Sequence, residues 1–73
     1  MNHQLPQNLR ILRKSMDWSQ QEVAGKIFVS RSLYTWFETG RQQPRLEVIQ
    51  RISKLYKVSV DDLISRPMNI TIG

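Results

Sequence analysis

Between Ser19 and Gly40 the chain reads SQQEVAGKIFVSRSLYTWFETG, and this stretch leaves room for little except helices. It opens on a serine followed three residues later by Glu22, the pattern of a capping box in which each side chain satisfies the other's backbone N–H. After Phe28-Val29, Ser30 stands ready to cap a second helix. Thr39-Gly40 supplies the stop, because glycine accepts the left-handed conformation that closes a helix. The pattern predicts two short helices joined by a corner of three or four residues. Val23, Ala24 and Ile27 face inward from the first, and the small Ala24 lets a neighbouring helix approach closely. In the second, Tyr34, Phe37 and the stem of Glu38 lie on one side. Ser32, Trp36 and Thr39 fall on the other, flanked by Leu33 and Thr35. That outer face carries apolar side chains for which a core has no use.

The remaining segments are helical as well. Pro6 suits a first helical turn, where its missing N–H costs nothing. Leu9, Leu12 and Met16 then recur at helical spacing with Arg13 on the flank, predicting helix 1 over 6–16. Ile11 points away from this stripe, and Met1 to Leu5 shows no pattern and reads as loose. Arg41 to Arg45 is a polar, basic loop. Helix 4 is predicted over 46–56 with Leu46, Ile49, Ile52, Leu55 and Tyr56 available to the core. Ser59-Val-Asp-Asp62 is a second cap of the same kind, opening a short helix 5 with Val60, Leu63 and Ile64 that breaks at Arg66-Pro67. In the tail, 66–73, the segment from Met68 to Ile72 alternates like a strand but has no partner strand in the sequence. It reads equally as disordered. There are no repeats and no linkers. The expected fold is a single all-α domain over 1–73, a compact bundle of five helices with its centre at 19–40.

A chain of 73 residues is near the lower limit for a self-sufficient core, and with no cysteine it has neither disulfides nor thiolate metal sites to staple it. The one histidine, His3, sits near the N-terminus as a solvated side chain, so a histidine base or metal ligand is not expected. No glycine-rich phosphate loop is present, and no run is apolar enough to span a membrane. These features point away from an enzyme, a cofactor, a small-molecule ligand or a membrane partner, and toward the cytoplasm. The formal charge of +5 points instead to a polyanion, nucleic acid before membrane. Even spacing of the basic residues would leave that excess as mere solubility, so their placement decides.

Two helices and a tight corner inside a basic helical domain suggest a helix-turn-helix, although the corner alone does not separate it from an ordinary helical hairpin. The order of residues goes further. Leu12-Arg13, Ser19-Gln20-x-Glu22-Val23-Ala24, Val29-Ser30-Arg31-Ser32 and Phe37-Glu38-x-Gly40-Arg41-x-x-Pro44 follow one another, and Leu46, Tyr56-x-Val58-Ser59-Val60 and Leu63 complete the pattern. In this the chain resembles the phage-repressor type of helix-turn-helix, the Cro and lambda-repressor-like domains, over about Leu5 to Ile64.

The resemblance implies a sequence-specific regulator of transcription, a repressor acting by occupying double-stranded DNA. It implies base contacts from Arg31, Ser32, Leu33, Thr35 and Trp36, with Arg31 able to grip guanine and Ser32 or Thr35 able to bond several base edges. Phosphate contacts fall to Gln20 with the backbone at the start of helix 2, and to Thr39, Arg41, Gln42, Gln43 and Arg45 on the other flank. Arg13 and Glu38 match a structural ion pair whose loss costs on the order of 3–5 kcal/mol if it is buried. Family members bind palindromic operators as homodimers, and here helix 5 and the tail, with Leu63, Ile64, Met68, Ile70 and Ile72, offer the apolar surface. The rival reading is an antitoxin or anti-repressor module whose helix 3 face binds protein. Three positions depart from the family. Phe28 and Lys57 stand where glycine is usual, and Arg45 replaces a small capping residue and opposes the helix dipole.

Overall fold

The structure, a computed structural model, describes residues 4–68. These form five helices and, among the described residues, no strand: α1 (Gln4–Ser15), α2 (Gln20–Lys26), α3 (Arg31–Thr39), α4 (Leu46–Tyr56) and α5 (Val60–Ser65). Helix α1 packs against α3 and α5, α2 against α3, and α4 against α5. One core joins Leu5, Leu9 and Leu12 to Val23, Ala24 and Ile27, to Tyr34 and Phe37, and to Val48, Ile49, Ile52 and Leu63.

The expected caps are in place. Ser19 Oγ accepts from the Glu22 N–H at 3.0 Å, and the Ser19 N–H donates to Glu22 Oε1 at 2.9 Å. Ser30 Oγ accepts from the Leu33 N–H at 3.1 Å, and Ser59 Oγ from the Asp62 N–H at 3.0 Å. Gly40 closes α3 at φ 78°, where any other residue would be strained.

Four details differ from the sequence reading. Leu5 is not loose: α1 begins at Gln4 and buries it. Met16 does not join the inner stripe and is 51% exposed. The helix has already ended at Ser15, and Asp17 takes φ 60°, turning the chain so that Trp18 packs on the core in its place, with its ring 5.9 Å from that of Tyr56. Leu46 is 64% exposed at the first position of α4, and Val48 takes the inward place. Asn8, which no periodicity singles out, is fully buried. Its Nδ2 donates to the carbonyls of Leu63 (2.8 Å) and Arg66 (2.7 Å), and its Oδ1 accepts from the Met68 N–H at 3.0 Å. One amide thereby satisfies the otherwise orphaned end of α5 and ties it to α1. Ile70, Ile72, His3 and most of the strand-like tail lie outside the described residues.

The corner between α2 and α3 turns on Phe28 in the left-handed region. Phe28 adopts φ 63°, a conformation that costs a side-chain-bearing residue about 1–2 kcal/mol. Helix α4 reaches across to hold it. The Arg51 guanidinium lies over the Phe28 ring at 5.5 Å, and its Nη1 donates to the Ile27 carbonyl at 3.2 Å. Lys57 likewise takes the left-handed conformation, φ 57°, at the end of α4.

Candidate nucleic-acid interface

Helix α3 is fixed from its inner face. Tyr34 and Phe37 are buried with their rings edge to face, 6.3 Å apart. Beside them Glu38, only 2% exposed, is gripped by a fork from Arg13, with Nε to Oε2 at 2.7 Å and Nη2 to Oε1 at 3.2 Å. Arg13 also donates to the Trp18 carbonyl at 3.1 Å, and Arg10 reaches the Glu38 carbonyl at 3.3 Å near the negative end of α3. Burial pushes the Glu38 carboxyl up, but the hydrogen bonds from Arg13 and Gln20 and the neighbouring Tyr34 phenol outweigh it and hold the group below the usual carboxylate range. The Glu38 partner raises Arg13 in turn. The hydroxyls of Tyr34 and Tyr56 are buried, and that burial, with the Glu38 charge nearby, pushes both well above the ordinary phenol range.

Gln20 extends this network outward. Its Nε2 donates to Glu38 Oε1 at 3.1 Å, and its Oε1 accepts from the Thr35 hydroxyl at 3.0 Å. The side chain expected to meet a phosphate is thus already tied into the protein, with one Nε2 hydrogen to spare.

The outer surface runs as a series of shallow concavities. The first is lined by Arg13, Ser19, Gln20, Gln21 and Arg31, the second by Arg31, Ser32, Thr35 and Trp36, and the third by Trp36, Arg41 and Gln42. Most of the residues singled out from the sequence therefore lie along one continuous strip, with Arg31 and Trp36 at its junctions. Thr39 donates to the Trp36 carbonyl at 3.3 Å at the end of α3. Gln43 lines a different groove, with Leu5, Pro6 and Pro44. Arg45 is exposed at the start of α4 and makes no side-chain cap there.

Leu33 is less exposed than its place on the helix suggests. It is half-buried and packs on the core, so it is not the free apolar side chain expected of it, whereas Trp36 is 45% exposed. Leu63, expected on a dimer surface, is wholly buried; of that group Ile64 and Met68 remain partly accessible. Among the described residues no cluster of metal-ligating side chains occurs, and no helix is long and apolar enough to cross a membrane.

Comparison with known proteins places this geometry. A family model described as a helix-turn-helix domain matches residues 4–65. The transcriptional repressor RstR of a cryptic phage, CTXphi, in Vibrio cholerae is 39% identical over 57 residues, covering 78% of this chain and 51% of that protein. The transcriptional activator BcrR of Enterococcus faecalis is 32% identical over 67 residues, covering 92% of this chain and 33% of its own. The DNA-binding domain of the P22 C2 repressor superposes with a TM-score of 0.76 at 28% identity, covering 86% of this chain and 84% of that one. The chain spans about half the length of the first of those curated relatives and a third of the second.

Proposed function

The chain belongs to the helix-turn-helix domain family, and from that premise we propose that it binds double-stranded DNA in a sequence-specific way and represses transcription by occupying an operator. The observation that carries this is the division of α3. Its inner face is locked by Tyr34, Phe37 and the Arg13–Glu38 fork, while Arg31, Ser32, Thr35 and Trp36 stand outward along one strip. A helix held this firmly, with an outer face the core does not use, fits a major groove that admits one helix and shows each base pair a distinct edge. Arg31 and Ser32 at its first turn reach base edges, Thr35 and Trp36 extend the reading, and Arg41 with Gln42 holds the flanking phosphates. Arg45, exposed at the start of α4, supplies a further cation for a phosphate.

Repression rests on likeness to a phage repressor and to a repressor's DNA-binding domain, set against one activator among the relatives. Dimerisation on a palindromic site belongs to the same proposal, with Ile64 and Met68 as its accessible apolar contribution. The relatives' names speak for regulation of transcription rather than for the antitoxin or anti-repressor reading.

Band-shift titration against salt tests the proposal. Each phosphate neutralised releases condensed counterions, so log K should fall against log salt with a slope of about −0.9 per contact. Arg41→Ala should flatten that slope by about one. A flat salt response, or equal affinity for all sequences, would sink the repressor reading.

A further inference from the structure

Thr35 is one of several outward side chains, and a hydroxyl is ordinarily an ambiguous reader because it both donates and accepts. Its surroundings remove that ambiguity. Arg13 has only donors to offer, and it holds Glu38 as an ionised carboxylate whose oxygens can only accept. Oε1 of that carboxylate therefore requires the amino end of the Gln20 amide, 3.1 Å away; the reversed amide would set oxygen against oxygen. With its amino end so placed, Gln20 turns its own oxygen toward Thr35 Oγ1 at 3.0 Å. An amide oxygen gives no hydrogen, so the hydroxyl must donate. Among the described residues, the other group to which the hydroxyl bonds is the Arg31 carbonyl, also at 3.0 Å and also an acceptor. Whichever of the two takes it, the single hydroxyl hydrogen is spent inside the protein.

We infer that Thr35 reads DNA only as a hydrogen-bond acceptor, and that Gln20 is the positioning residue that carries this polarity outward from the buried ion pair. The inference rests on the DNA-binding reading above. Thr35 lines the concavity formed with Arg31, Ser32 and Trp36, so its lone pairs open onto the surface that would face the groove. In the major groove adenine and cytosine present exocyclic amino groups, while guanine and thymine present keto oxygens at the corresponding edge. An acceptor-only hydroxyl favours the amino bases and meets a keto oxygen with repulsion. Thr35 thereby specifies one operator position as amino over keto, on the strand it touches.

The test is selection of bound sequences from random duplex DNA by the parent chain and by Thr35→Val, Thr35→Ser and Gln20→Met, each checked for folding by its melt. The parent should prefer adenine or cytosine at one position by about fivefold, the ratio that corresponds to one ordinary hydrogen bond. Thr35→Ser should keep that preference and Thr35→Val should erase it there alone. Gln20→Met should weaken it, because keto bases can then compete with the Arg31 carbonyl for the freed hydrogen. A Thr35-dependent preference for guanine or thymine overturns the inference, as does a preference that Gln20→Met leaves intact. Enrichment of a clear site with no position sensitive to Thr35 defeats the inference and leaves the DNA-binding reading standing; failure to enrich any sequence defeats both.

Discussion

Replacing Arg13 by methionine removes the guanidinium that forks onto Glu38 and leaves a carboxylate with 2% of its side-chain surface exposed. Water cannot reach that charge, and stranding one member of a buried pair costs about 3–5 kcal/mol. Replacing Glu38 by glutamine is the milder half of the same experiment. Arg13 is 13% exposed and keeps its bond to the Trp18 carbonyl, and the new amide oxygen can still accept, so the loss is closer to the 1.5–3 kcal/mol of a charge-assisted hydrogen bond. For a domain of this size each kcal/mol moves the melting temperature by about 4–8 °C. Calorimetry at pH 7 should therefore show Arg13→Met melting at least about 12 °C below the parent, and Glu38→Gln at least about 6 °C below. The acid side gives a second reading. The folded Glu38 carboxyl lies below its ordinary value of 4.5, so the pair's contribution is present above that pH and is lost as the pH falls through the lower, folded value. In Arg13→Met the first of the depressing partners is gone and burial is opposed only by the neutral donors that remain, so protonation costs the variant less than it costs the parent. The gap between the two melts should narrow below about pH 4.5. Equal melts at pH 7, or a gap that stays constant into acid, would refute the assignment of this pair as the lock on α3.

Three further outcomes follow from the packing. Phe28→Gly should be more stable than Phe28→Ala by about 1 kcal/mol in urea titrations, because glycine accepts φ 63° while alanine keeps the strain and both lose the stack under Arg51. Asn8→Leu should cost at least about 2–3 kcal/mol by leaving the Leu63 and Arg66 carbonyls and the Met68 N–H without their partner. Hydrogen exchange should then accelerate first at the end of α5. Trp36→Ala should lower discrimination between operator and random DNA while the melting temperature stays near the parent's; a collapse of the melt would instead mark Trp36 as part of the core.

The order of helices and their caps are legible because each rests on a local rule with a fixed spacing, and the ion pair, 25 residues apart, because its two positions match a family pattern. Ser19 and Glu22 are three apart, and the inward residues of α2 repeat at 3.6. The misreadings share a cause: side chains near helix ends are placed by the chain's exit path, which periodicity does not contain. Met16 lost its place when Asp17 turned the backbone, and Leu46, at the first position of its helix, had no preceding turn to hold it inward. Asn8 was invisible because its partners lie 55 to 60 residues away and are backbone groups, which have no sequence signature. The family resemblance singles out Gln20 as a phosphate contact, but its commitment to Thr35 and Glu38 requires both helices to be in place. Leu33 was judged by its angle on the helix wheel, which does not report how closely the neighbouring elements approach.

The hold of Arg51 on the corner has a consequence for how such a domain can change. The angle of α3 is underwritten from α4, not by the corner's own residues alone. If Arg31, Ser32, Thr35 and Trp36 read DNA as proposed, substitutions there rewrite what is recognised while the pose stays the same, as letters are reset in a fixed frame. The converse also holds. Residues 19–40 grafted onto a scaffold that lacks the counterparts of Arg13 and Arg51 would carry the letters and lose the frame.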